Sequence, residues 1–151
     1  APFYNGSSYT KYTTQGNTLE PADDAANKIL GGDWQIPTTE IWMALYEAKK
    51  NSVYWGPNNG DETLETVGGI QGMKITKKED PSTYLFLPAA GYVDGIRFNY
   101  VGSYGRYLSG TANAGTQPYD LWFYRGSVIA QNNSNRYRGF SVRPVRLVAV
   151  N

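Results

Sequence analysis

The order of signals along the chain predicts an α+β domain, with two helices in the N-terminal third followed by a small twisted antiparallel sheet that carries long loops. Three observations lead there. Capped helical patterns occur only in the first third, the remainder reads as short strands and turns, and 17 Gly, 8 Pro and 13 Tyr leave only short apolar runs. At 151 residues the chain suits one domain. A chain of that size buries about two-thirds of its unfolded surface, enough for a core without disulfide or metal staples.

The first helix opens at Glu20, Pro21, Ala22, Asp23 and Asp24, which place a proline and three carboxylates where unpaired amides and the positive dipole end favour them. Gly31 and Gly32 stop it, so the spacing predicts a helix over about 21–30. Pro37 and Thr38 open the second. Thr38 is its N-cap, Glu40 lies in its first turn, Ile41, Trp42, Leu45, Tyr46 and Ala48 recur at helical spacing, and Lys49 and Lys50 finish it favourably. Strands are expected at 52–55, 73–76, 84–87, 121–124, 127–130 and 140–150, with loops at 56–62 (GPNNGDE) and 91–99. Trp34 and Trp42 are expected in the core.

Alternation then separates core from surface. With Leu121 and Phe123 inward, Asp120, Trp122 and Tyr124 face outward; with Val128 and Ala130 buried, Ile129 and Gln131 are displayed. An apolar patch of this kind, rimmed by polar residues, commonly marks an interaction site. The tail with Phe140, Val142, Val145 and Leu147 reads as a central buried strand, and its Pro144 belongs at a bulge or an unpaired position.

Charge divides the chain in two. Every Lys lies at or before Lys78 and every Arg at or beyond Arg97, so the last third carries seven Arg against the single carboxylate Asp120. Arg, Asn and aromatic side chains together are the usual material of recognition surfaces. With no Cys and no His, zinc sites of the usual ligands, Cys nucleophiles and Ser-His triads are excluded. No run of about 18 apolar residues occurs, so no membrane insertion is expected.

Four segments in order, residues 11–42 (KYTTQGNTLEPADDAANKILGGDWQIPTTEIW), LPAAGY at 87–92, VGSYGRYLSGT at 101–111 and the closing RYRGFSVRPVR at 136–146, resemble the Fibrobacter succinogenes major paralogous domain, a family abundant in Bacteroides. The resemblance covers nearly the whole chain. It departs at Tyr107, Leu108, Ser109 and Gly110, where relatives usually read YWSS, and at Trp34, Gln35, Ile36, Pro37 and Thr38, where they read WRMPT. The resemblance implies a C-type lectin-like fold in its disulfide-free bacterial form, related to formylglycine-generating enzyme domains whose oxidation needs Cys residues absent here. It also implies an extracellular or bacterial cell-surface location, and a single domain over 1–151 forming the C-terminal part of a longer surface protein.

Some relatives resemble the variable proteins of diversity-generating retroelements, in which adenines of Asn-type codons are mutagenised. Phe98, Asn99, Tyr100, Tyr104, Arg106, Asn113 and Asp120 fit the residues such codons yield. So do Tyr124, Ile129, Asn133, Asn135, Tyr137 and Arg138, whereas Trp122 and Gln131 do not. Together with Tyr107, Trp122 and Gln131, these thirteen positions form the expected ligand-binding set.

Other chemistries are weakly signalled. The 56–62 loop offers Asn58, Asn59, Asp61 and Glu62 as oxygen ligands without the regular spacing of a calcium loop. Gln117, Pro118, Tyr119 and Asp120 only superficially match the sugar-coordinating tripeptide of animal lectins. The carboxylate pairs Asp23–Asp24 and Asp61–Glu62 read as caps and solvating charge rather than acid and base. Seven Arg spread over fifty residues make a thin footprint for nucleic acid. No catalytic residue, cofactor or metal is expected, and no nucleic-acid partner. Two functions stay open. The domain is a receptor or adhesin whose pre-formed, rather flat site takes a protein or glycan ligand on another cell or host surface, or it is a structural or assembly module of a surface or pilus-like protein.

Overall fold

The computed structural model describes residues 5–51, 53–54, 64–77, 79–114 and 117–148. Among these, eleven strands in four small antiparallel sheets accompany two helices of 6 and 13 residues. The α+β, C-type lectin-like expectation with a single small sheet is therefore corrected: the protein is mostly β, and its strand content is divided among several short ladders. Strands outnumber expectation partly because short stretches without an alternating apolar signal, at 34–35, 65–67, 92–94 and 97–99, pair through their backbones.

Helix α1, Ala25–Leu30, starts four residues later than the sequence pattern indicates. Residues 21–23 form a turn, and Asp24 is the cap, its Oδ1 accepting from the Ala26 and Asn27 amides at 2.7 and 3.1 Å. The same carboxylate reaches across with Oδ2 to accept from Ile36 N at 2.8 Å, tying α1 to strand β1, Trp34–Gln35. Helix α2, Thr39–Asn51, follows Thr38, whose hydroxyl accepts from Ile41 N at 3.4 Å. Strands β2, Val53–Tyr54, β3, Glu65–Val67, and β5, Tyr84–Pro88, all pair with the long β4, Ile70–Lys77: β5 takes one edge, and β2 and β3 share the other.

Residues 91–99, expected as loop, contain a hairpin of β6, Tyr92–Asp94, and β7, Arg97–Asn99. Gly91 makes its entry possible: φ is 69°, and a Cβ there would lie 2.0 Å from the Asn99 carbonyl oxygen. Then come β8, Tyr104–Ala112, β9, Pro118–Tyr124, and β10, Ser127–Asn133, ordered β10-β9-β8. The long tail strand is also corrected. Among the described residues, Val145–Arg146, β11, pairs antiparallel with β1 and Ser141 makes an isolated parallel bridge to Tyr107, while Leu147 and Val148 are exposed.

The core joins α2 to the two largest sheets through Trp42, Met73, Ile75, Leu87, Ala89, Tyr107, Leu121 and Phe123. Helix α2 is seated by Thr39, whose amide donates to Thr111 Oγ1 and whose hydroxyl shares a hydrogen bond with Ser109, each at 3.1 Å. Trp42 is buried as expected, but Trp34 is only half-buried. Gly105 is required where β8 crosses β9, because a Cβ would fall 1.9 Å from the Phe123 ring. The Asn58–Glu62 loop lies outside the described residues.

Candidate functional site

The register of β8, β9 and β10 assigns each side chain to a face. Gly105, Tyr107, Leu121 and Phe123 point to the core, and the other face carries Tyr104 opposite Tyr124, Arg106 opposite Trp122, and Ile129 opposite Trp122. Alternation predicts that this second face is open. The returning chain at 139–141 instead covers part of it: Ser141 N donates to Arg106 O at 3.0 Å, Leu108 N donates to Ser141 O at 2.9 Å, and Phe140 lies against Arg106.

Under that cover Arg106 and Asp120 form a buried ion pair. Arg106 Nε donates to Asp120 Oδ2 at 2.8 Å and Nη2 to Oδ1 at 3.0 Å, and Asn132 Nδ2 adds a third donor at 3.1 Å. Asp120 is wholly inaccessible and Arg106 nearly so, so both are corrected from displayed residues to internal ones. Burial pushes the Asp120 carboxyl upward, while the Arg106 charge and its hydrogen bonds pull the other way. Three rings enclose the guanidinium, with Phe140 at 4.9 Å, Trp122 at 5.3 Å and Tyr92 at 5.6 Å from centroid to Cζ.

Beside this pair runs an ordered aromatic stack. Tyr100 and Tyr104 are parallel, with centroids 4.2 Å apart and planes 7° from each other. Tyr92 stacks on Tyr100 at 6.0 Å, Tyr104 meets Trp122 edge-on at 5.7 Å, and Trp122 and Tyr124 lie 4.8 Å apart. Tyr100 occupies the left-handed region at φ 56°, which is costly for a residue with a side chain, and its carbonyl accepts from the Ser103 and Tyr104 amides. The ring position is thus held by the backbone on both sides. Trp122 Nε1 is buried without an acceptor among the described residues.

Comparison with protein-family models finds none that matches the chain, and comparisons with curated proteins and with solved structures find no match either. The face itself is what bears on function.

The structure brings Tyr100, Tyr104, Trp122, Tyr124 and Ile129 together, and Phe98 and Tyr137 are exposed. Arg138 bridges to Asp94 at 3.2 Å and sits 5.0 Å over the Tyr92 ring. Asn99 is opposite Tyr92 in the hairpin, and Asn135 donates to the Tyr137 hydroxyl at 2.9 Å. Gln131 is exposed beside a bulge between Ile129 and Asn132. Three expected residues fall elsewhere. Tyr107 belongs to the core, where its hydroxyl donates to Pro88 O at 2.8 Å and burial pushes its pKa up to about 12. Asn113 lies just past the far end of β8, and Asn133 pairs opposite Tyr119, on the reverse side from Trp122.

Sequence reasoning missed Tyr92, Phe140 and Asn132. Tyr92 ends the quoted LPAAGY motif, and the aromatic after RYRG could have suggested a ring near the arginines. Electrostatically the region is cationic, since Arg97 of the β6–β7 hairpin and Arg125 of the β9–β10 turn are exposed and form no ion pair among the described residues. The arrangement offers flat rings, amide side chains and a basic rim.

Proposed function

We propose that the protein is a non-enzymatic ligand-binding domain of receptor or adhesin type, and that the open face of β8–β10 is its contact surface. The observation that carries this reading is the aromatic stack from Tyr92 through Tyr100 and Tyr104 to Trp122 and Tyr124, partly open to solvent and fixed by the internal Arg106–Asp120 pair. Large rigid rings give contact area at low entropic cost, and a pre-ordered set loses little freedom on binding. The sequence resemblance to retroelement-diversified relatives supports a variable face on a constant scaffold, displayed at the bacterial surface.

The division of labour is physical. Phe98, Tyr100, Tyr124, Ile129 and Tyr137 are exposed or half-exposed and tolerate exchange, whereas Arg106 and Asp120 hold the sheet from within. A labelled domain is applied to immobilised glycans and surface proteins, and a Tyr100→Ser, Tyr124→Ser, Ile129→Ser variant is compared with an Ile29→Ser, Leu147→Ser variant. The reading expects capture to disappear in the first and persist in the second. Retained capture by the folded first variant contradicts it.

A second reading draws on a different patch. Ile29 and Leu30 of α1, with Leu147 and Val148 after β11, flank the β1–β11 sheet and are exposed, Leu30 by 49% and the others by more than half. Apolar residues gathered this way favour packing against a neighbouring domain, as in an assembly module of a surface or pilus-like protein. Loss of capture or assembly only in the Ile29, Leu147 variant selects this alternative.

A further inference from the structure

We infer that the cleft at the β9–β10 turn is an anion subsite and that the ligand is an acidic saccharide; this rests on the proposed binding face and names the chemistry it takes. A cleft of about 390 Å³ opens there, lined by Leu64, Gln71, Gly102, Ser103 and Arg125. That volume lies in the range of about 300–1,000 Å³ usual for small-ligand sites. The cleft lies at the end of the β8–β9 ladder, because Ser103 and Arg125 are the chain neighbours of Tyr104 and Tyr124, which face each other across β8 and β9.

The lining has a specific chemistry. Arg125 occupies the tight reversal before Gly126, at φ 86°, and its exposed guanidinium has no ion pair or hydrogen bond among the described residues. A planar fork of donors of this kind matches a carboxylate in two-point fashion. Gln71 offers an exposed amide, Ser103 an exposed hydroxyl that donates to Tyr100 O at 3.1 Å and keeps its accepting lone pairs, and Leu64 an apolar wall. Hydroxyl groups on a ring need that mixture of donors and acceptors.

An extended acidic peptide fits less well. Such a peptide is held by adding to a free strand edge, yet the cleft walls are turn residues together with Gln71 of β4, whose edges are already paired with β3 and β5.

The test is titration of the protein with trigalacturonate, with its fully methyl-esterified form, and with a peptide of alternating Glu and Gly, repeated for Arg125→Gln and for Tyr100→Ser/Tyr124→Ser. The inference expects the acid to bind at least ten-fold tighter than the ester, and Arg125→Gln to lower the acid to the ester's level while leaving the ester unchanged. Equal binding of acid and ester, an unaltered acid affinity in Arg125→Gln, tighter binding of the peptide, or no binding of trigalacturonate overturns it. The binding face stands or falls separately. If ester binding is lost in Tyr100→Ser/Tyr124→Ser, or the immobilised panel shows face-dependent capture without uronate binding, the proposed function survives and only the anion subsite is discarded.

Discussion

Arg106 and Asp120 meet through two hydrogen bonds, at 2.8 and 3.0 Å, beneath the aromatic face and out of contact with solvent. The pair converts two side chains of display-surface type into the brace of β8 against β9. Removing one partner strands a buried charge, which costs about 3–5 kcal/mol. Arg106→Met or Asp120→Leu alone should therefore lower unfolding free energy by that amount in denaturant titration, and the double substitution should recover much of the loss. Strict additivity of the two single losses would show that they do not act as a pair.

Tyr107 links stability to alkaline pH. Its phenol is neutral, buried and bonded to Pro88 O, with its pKa raised from 10.0 to about 12. The unfolded chain ionises this group first, so its contribution is complete below pH 10 and is lost as pH rises towards 12 and beyond. Unfolding free energy measured across that window should fall in the wild type and fall less steeply in Tyr107→Phe.

Gly105→Ala places a methyl group 1.9 Å from the Phe123 ring. Overpacking of this kind costs about 1–3 kcal/mol, and Phe123→Leu in the same chain should return part of it. Thermal melts of the three variants check this.

Asp24 does three jobs with one carboxylate, capping α1 twice and accepting from Ile36 N. Asp24→Ala should cost about 2–4 kcal/mol, since the cap loss of about 1 kcal/mol is joined by an unsatisfied buried amide. Asp24→Asn, which retains one acceptor oxygen, should cost less.

Capping is local, and that is why the second helix is readable at Thr38 and the first at its carboxylates, although the proline turn at 21–23 delays α1. Alternation in β9 and β10 correctly separates Leu121 and Phe123 from Trp122 and Ile129. Where it fails, a distant segment intervenes. The chain at 139–141 closes over Arg106 and Asp120, and nothing in the spacing around either residue encodes that cover. Strand β8 escaped notice because both of its faces are largely buried, which erases the period-two signal, and its Gly and Ser positions read as loop. The expected tail strand failed for the opposite reason: its apolar residues suggest burial, but among residues 140–148 pairing is confined to the isolated bridge at Ser141 and the two-residue ladder at Val145–Arg146.

The most direct test of a displayed, variable face on a constant scaffold is sequencing of the locus across many isolates, read codon by codon over residues 97–138. The account predicts substitutions gathered at Phe98, Tyr100, Tyr124, Ile129 and Tyr137, confined to adenines of Asn-type codons, with Arg106 and Asp120 unchanged. Changes at Arg106 and Asp120 as frequent as those at the exposed positions, scatter over the whole scaffold, or a face identical in every isolate would contradict it.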